Sequence, residues 1–194
     1  MRPLPLACLV ALASSFALAA HASPITITET FTADGIYNGV AFTDQTITFG
    51  GTGNTSSVSV SGGFAELLTT SNFLQIGADP SVSFSYPLEA FDNGALEIAG
   101  FFDTTDYIDI ADVTNPAFST YQLETSLSVS GSGNPQNFAY PTSGGGFQID
   151  AIDSPVTYSA VVGSAAVPEP SSLALLATGA LGLVEVGRRR LRYS

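Results

Sequence analysis

From Pro24 the chain alternates strictly, with Ile25, Ile27, Glu29 and Phe31 separated by Thr26, Thr28, Thr30 and Thr32. A period of two sends successive side chains to opposite faces of an extended backbone, which β-branched Ile and Thr favour. The stretch is therefore predicted to be a strand with one dry face and one wet face. The rest of the body has to fold as a partner for that face.

Turn signals follow at short intervals: Asp34-Gly35, Asn38-Gly39, Gly50-Gly51, Gly62-Gly63 and Asp92-Asn93-Gly94. Between them, residues 40–42, 46–49, 54–61, 64–69, 73–76, 81–86, 95–102 and 107–110 read as short strands, although 64–68 also fits a helical turn. Residues 120–130 make the longest strand candidate, with Tyr121, Leu123, Thr125, Leu127 and Val129 on one face. Residues 131–146, rich in Gly, Ser, Asn and Pro, read as a loop, and 147–152 and 156–162 complete the body. About ten short strands without a long helical pattern predict an all-β fold, an antiparallel β-sandwich of jelly-roll or Ig-like type. The division expected is 1–22 signal peptide, 23–162 β-sandwich, 163–172 linker, 173–187 transmembrane helix and 188–194 basic cytoplasmic tail.

Charge separates the body from its ends. All five basic residues are arginines, Arg2, Arg188, Arg189, Arg190 and Arg192, and the one histidine is His21. Two of the 17 acids, Glu169 and Glu185, lie in the tail, so residues 23–166 hold 15 acids and no basic side chain. Such a surface repels phosphate backbones, which argues against nucleic-acid binding, and attracts cations. The one cysteine, Cys8, also lies outside the body, which leaves it without a disulfide.

At the N-terminus, Arg2 precedes an apolar run over residues 4–20, and Ala20-His21-Ala22 offers the small-x-small pattern of a signal-peptidase site at Ala20 and Ala22. Signal peptidase and the Sec translocon are the partners expected there. At the other end, Val167-Pro168-Glu169-Pro170-Ser171-Ser172 precedes an apolar run and the cluster Arg188, Arg189, Arg190 and Arg192. Two prolines around one acid can neither continue a strand ladder nor sit inside a helix, so the segment is predicted to be extended and open to a protease. Residues 173–187 would make a helix of about 22 Å at 1.5 Å per residue. That is short beside a hydrocarbon core of about 30 Å. The arginines are predicted to stay on the cytoplasmic side, leaving the Pro-Glu-Pro end outward.

This three-part tail resembles the PEP-CTERM sorting signal of Gram-negative bacterial envelope proteins. The resemblance implies recognition of Val167, Pro168, Glu169 and Pro170 by exosortase, an integral-membrane cysteine protease, after a transient stay in the inner membrane. It also implies delivery to the cell envelope or beyond, in systems that accompany exopolysaccharide and biofilm production. Glu185 departs from the pattern by placing a carboxylate at the end of the apolar run. The body, with Thr32-Ala33-Asp34-Gly35 and Asn115-Pro116-Ala117-Phe118, is similar to small exported proteins bearing the same tail, for which no activity carries over.

Without imidazole, thiol or amine, the body lacks the parts for nucleophile-base catalysis and the usual zinc ligands. A non-enzymatic structural role in the envelope or matrix is the leading expectation, with no cofactor required. Asp103, Asp106, Asp109 and Asp112 recur every third residue and make calcium the candidate metal, which in an exported sandwich suggests a calcium-dependent carbohydrate-binding module. Residues three apart in a strand face opposite ways, so only a bend could gather all four. A carboxylate-pair glycan hydrolase is the remaining alternative.

Overall fold

The computed structural model describes residues 22–164, and every regular element among them except two short 3-10 turns is a β-strand. The alternating stretch is β1, Pro24–Tyr37, whose residues Ile25, Ile27, Glu29, Phe31 and Ala33 all point inward. Asn38 and Gly39 take positive φ, 49° and 78°, in a two-residue turn that matches strand twist and returns the chain along β2, Val40–Asn54. On its other edge β1 pairs first with β12, Val156–Val162, and then with β11, Gly145–Ile152.

Asp34-Gly35, read from the sequence as a turn, is a bulge within the β1 ladders, and Gly50-Gly51, read as a strand end, lies inside the unbroken part of the β1–β2 ladder. Glycine is used here for closeness of approach. A Cβ on Gly50 would collide with the Ile27 carbonyl oxygen, and one on Gly35 with the Gln148 carbonyl oxygen. Gly50→Ala is accordingly expected to lower stability by about 1–3 kcal/mol through overpacking, read as a lower urea midpoint at unchanged slope.

The remaining strands are β3 (Ser59–Ser61), β4 (Phe64–Leu68), β5 (Ser71–Ile76), β6 (Leu88–Asn93), β7 (Ile98–Asp103), β8 (Asp109–Thr114), β9 (Leu127–Pro135) and β10 (Tyr140–Thr142). All pairings are antiparallel, in the order β10-β11-β1-β12-β9-β8-β7-β6-β4-β3, with β2 beside β1 and β5 beside β2. The antiparallel all-β class expected from the alternation is what the chain adopts. Its two halves are hydrogen-bonded into one path by β9, which pairs with β12 through Leu127–Gly131 and with β8 through Ser132–Pro135.

Residues 88–93, whose end was expected to be a turn, form β6, and three further stretches differ from expectation. Residues 120–130 are no single strand. Asn115 caps a 3-10 turn, Pro116–Thr120, by accepting the Ala117 N–H at 2.8 Å, and the chain then drops Phe118, Tyr121 and Leu123 into the core. The strand starts at Leu127 and runs on to Pro135, into the predicted loop, because Gly131 lies against the Thr114 carbonyl where a side chain would not fit. Residues 81–86 form only isolated bridges, Leu74 with Val82 and Phe84 with Thr142.

The core closes around Phe49 of β2, whose ring meets Phe31 at 6.0 Å, Phe84 at 6.1 Å and Phe101 of β7 at 5.7 Å. Among the described residues no helix is long and apolar enough to cross a membrane. The helices predicted for the signal peptide and for residues 173–187 lie outside the described residues.

Candidate functional site

The four regularly spaced aspartates do not gather as one set. Asp103 is buried at the end of β7, where its Oδ1 accepts the N–H groups of Thr105 at 2.6 Å and Asp106 at 2.9 Å. Asp106 is exposed in that turn. In β8 the register slips between the Ala111–Phe101 and Asp109–Phe102 pairs, and this bulge turns Asp109 and Asp112 to the same side of the sheet. Burial first, and next the charge of Asp109, pushes the Asp112 carboxyl up to about 7. Burial also raises Asp109, whose carbonyl accepts the Tyr140 hydroxyl at 2.5 Å.

The acids that do converge are Asp34, Asp44 and Asp153, each with a carboxylate oxygen within 4.8 Å of the other two. Asp34 sits at the β1 bulge. Asp44, at φ 53°, sits at the facing irregularity of β2 and donates its N–H to Asp34 Oδ1 at 2.9 Å. Asp153 lies in the turn between β11 and β12, held by its N–H to the Thr32 carbonyl at 2.8 Å. Some desolvation, then the charges of Asp34 and Asp44, raises the Asp153 carboxyl. Such oxygens suit a hard cation. Asp153 also lines a shallow cleft of about 590 Å³ between Ser130, Gly131, Ser132 and Gly133 of β9 and the β11–β12 turn. Sequence reasoning missed this set because Asp34-Gly35 was read as a turn, and its partners come from two other segments brought there only by strand register.

A second group lies in the interior. Glu29 is fully buried, with Phe49 and Tyr158 as cross-strand neighbours, and neither carboxyl oxygen has a hydrogen-bond partner. Asp92 of β6 is equally buried and equally without a partner. The Tyr121 and Tyr158 hydroxyls also lack one, and their rings meet at 6.1 Å. Burial raises Glu29 well above the usual carboxylate range, helped by the charges of Asp112 and Asp109, and raises Asp92 to about 7. The same burial lifts Tyr121 to about 12 and raises Tyr158 well above its ordinary value.

The tail is placed by comparison with known families. Residues 166–191 match the PEP-CTERM protein-sorting motif. The chain carries a PEP-CTERM sorting motif. The match takes in Val167, Pro168, Glu169 and Pro170 together with Arg188, Arg189 and Arg190, and ends one residue before Arg192. A PEP-CTERM motif marks a protein for export and membrane sorting, with exosortase as the protease partner of its class. Comparison with curated proteins and with solved structures finds no significant match to the chain. All the PEP-CTERM residues, and Ala20 of the predicted signal-peptidase site, lie outside the described residues, whereas Ala22 is the first of them and is exposed.

Proposed function

We propose that the chain is an exported structural protein of the cell envelope or extracellular matrix, held briefly at the inner membrane by its tail and freed when exosortase cuts near Pro168-Glu169-Pro170. The observation that carries this reading is the position of the sorting motif relative to the last strand. The β-domain closes at Val162, paired with Ile25, and at Gly163, whose N–H reaches the Pro24 carbonyl at 2.8 Å. The motif begins at residue 166. A cut at the motif therefore removes none of the described strands.

The released domain is acidic and free of basic side chains, which favours solubility and counter-cation uptake in a polysaccharide-rich exterior. Its lack of imidazole, thiol and amine supports a non-catalytic role, and unchanged oligosaccharides after long incubation are the expected result against the hydrolase alternative. Mass spectrometry of the mature protein tests the main reading. A C-terminus short of the arginines is expected in a host that has the protease, and Glu169→Ala should reduce release at least tenfold. Recovery of chains still ending in Ser194 from such a host would sink it.

A calcium-dependent carbohydrate-binding role is the second reading, favoured by the convergence of Asp34, Asp44 and Asp153 beside the cleft. Titration calorimetry is expected to show calcium uptake that Asp44→Asn weakens about tenfold, and polysaccharide binding only with calcium present. Absence of heat in both titrations ends this reading.

A further inference from the structure

The two carboxyls with both oxygens buried and unpartnered lie on the inward faces of β1 and β6, and the charge of each is felt at Tyr158. Glu29 is on the inward face of β1, directly across from Tyr158 of β12. Asp92 is on the inward face of β6, across from Ala99 of the core. Tyr158 feels the charge of both acids, and its ring packs edge-on against Tyr121 at 6.1 Å and Phe118 at 5.1 Å. The other ionisable groups facing this layer are Asp109 and Asp112 of β8, toward Glu29, and the Tyr121 hydroxyl, toward Asp92. None is basic, and no lysine, arginine or histidine exists among residues 22–164. An ionised carboxylate in such a place has no counter-charge, and neither acid makes a hydrogen bond that would offset lost hydration.

We propose that Glu29 and Asp92 are a proton-operated latch: the two halves of the fold stay packed on the Tyr121–Tyr158 layer only while both carboxyls carry their protons, and alkalinisation opens the domain there. The raised positions of both groups agree with this. The direction is fixed by linkage. Each acid holds a proton in the folded state at a pH where the unfolded chain has released it, so stability is fullest below the unfolded carboxyl pKa of about 4. It falls as pH rises towards the folded values, near 7 for Asp92. Within that window each retained proton multiplies the unfolding equilibrium constant by about ten per pH unit, and two together by about a hundred. An exported domain built this way is tight in an acidic medium and loosened in an alkaline one, independently of how its tail is processed.

Urea unfolding of the full-length chain in mild detergent, followed by tyrosine fluorescence from pH 4 to 9, tests the proposal. Wild type is expected to weaken steadily across the window, and amide protection in β1, β6 and β12 should fall with it. Glu29→Gln with Asp92→Asn should remove up to a hundredfold per pH unit of that dependence. The surface pair Asp79→Asn with Glu124→Gln, which removes the same formal charge from exposed positions, should leave it in place. A buried double variant with the wild-type slope, or a wild type insensitive to pH, overturns the latch. Should the double variant fail to fold, the infrared carboxylic-acid stretch of the wild type decides: it should persist at pH 7, and its absence overturns the proposal equally.

Discussion

Phe49→Ala is expected to cost about 3–5 kcal/mol of stability, the range for truncating a fully buried aromatic side chain. Its position argues for the upper part of that range. Phe49 has no exposed surface, and three of its ring neighbours come from different parts of the chain: Phe31 on β1, Phe84 in the bridge segment and Phe101 on β7. The contact with Phe101 crosses from one half of the sheet path to the other, so the cavity would open where the halves meet. Strands hydrogen-bonded on both edges, as β2 is to β1 and β5, have little freedom to collapse into it. Each edge-on pair adds about 0.5–1.5 kcal/mol beyond area burial, and all three are lost together. For a domain of this size the change corresponds to a fall in Tm of roughly 6–20 °C. Calorimetry reads it directly, and a loss below about 1 kcal/mol would mean that this ring is no joint.

How much of this was legible beforehand depends on whether the signal was local. The inward series of β1, Glu29 included, follows from two-residue periodicity, because every one of those side chains is placed by its immediate neighbours. Asn38-Gly39 was also legible, since both residues take the left-handed conformations that this dipeptide tolerates best. Gly35, Gly50 and Gly131 were misread because a glycine required by a carbonyl on the next strand looks the same in sequence as one required by a turn. The same ambiguity split β2 and hid the second half of β9. Residues 120–126 alternate like a strand, yet the cap by Asn115 and the pull of a pocket around Tyr158 win over that weak preference. The convergence of Asp34, Asp44 and Asp153 was invisible for a stronger reason: it depends on one register shift in the β1–β2 ladder and on a turn more than a hundred residues away. The tail was the opposite case. Its chemistry lies in a contiguous order of proline, acid, apolar run and arginines, and needs no fold to be read.

Glu29→Met is expected to stabilise the domain, and by an amount that depends on pH. Ordinary surface acids contribute little and lose what they contribute on acidification. Glu29 works in the reverse sense, because burial and the nearby charges of Asp112 and Asp109 make its folded form keep a proton that the unfolded chain gives up. Near pH 4 both states are protonated, and the replacement should return only the benefit of removing two oxygens that have no partner, on the order of 1–3 kcal/mol. Above that, the cost of keeping the proton grows by about 1.4 kcal/mol for each pH unit, which sets a ceiling of about 4 kcal/mol more at pH 7. Methionine is close in length to the glutamate and unbranched, so it can follow the same path between Phe49 and Tyr158 without forcing either ring. Glu29→Lys has no such route, since an ammonium there would meet the same dry wall, and it is expected to abolish folding at neutral pH. Stability curves for wild type and Glu29→Met should therefore diverge as pH rises. Parallel curves would mean that the Glu29 carboxyl reaches water in solution, and that its dry position between Phe49 and Tyr158 is not what holds β1 in place.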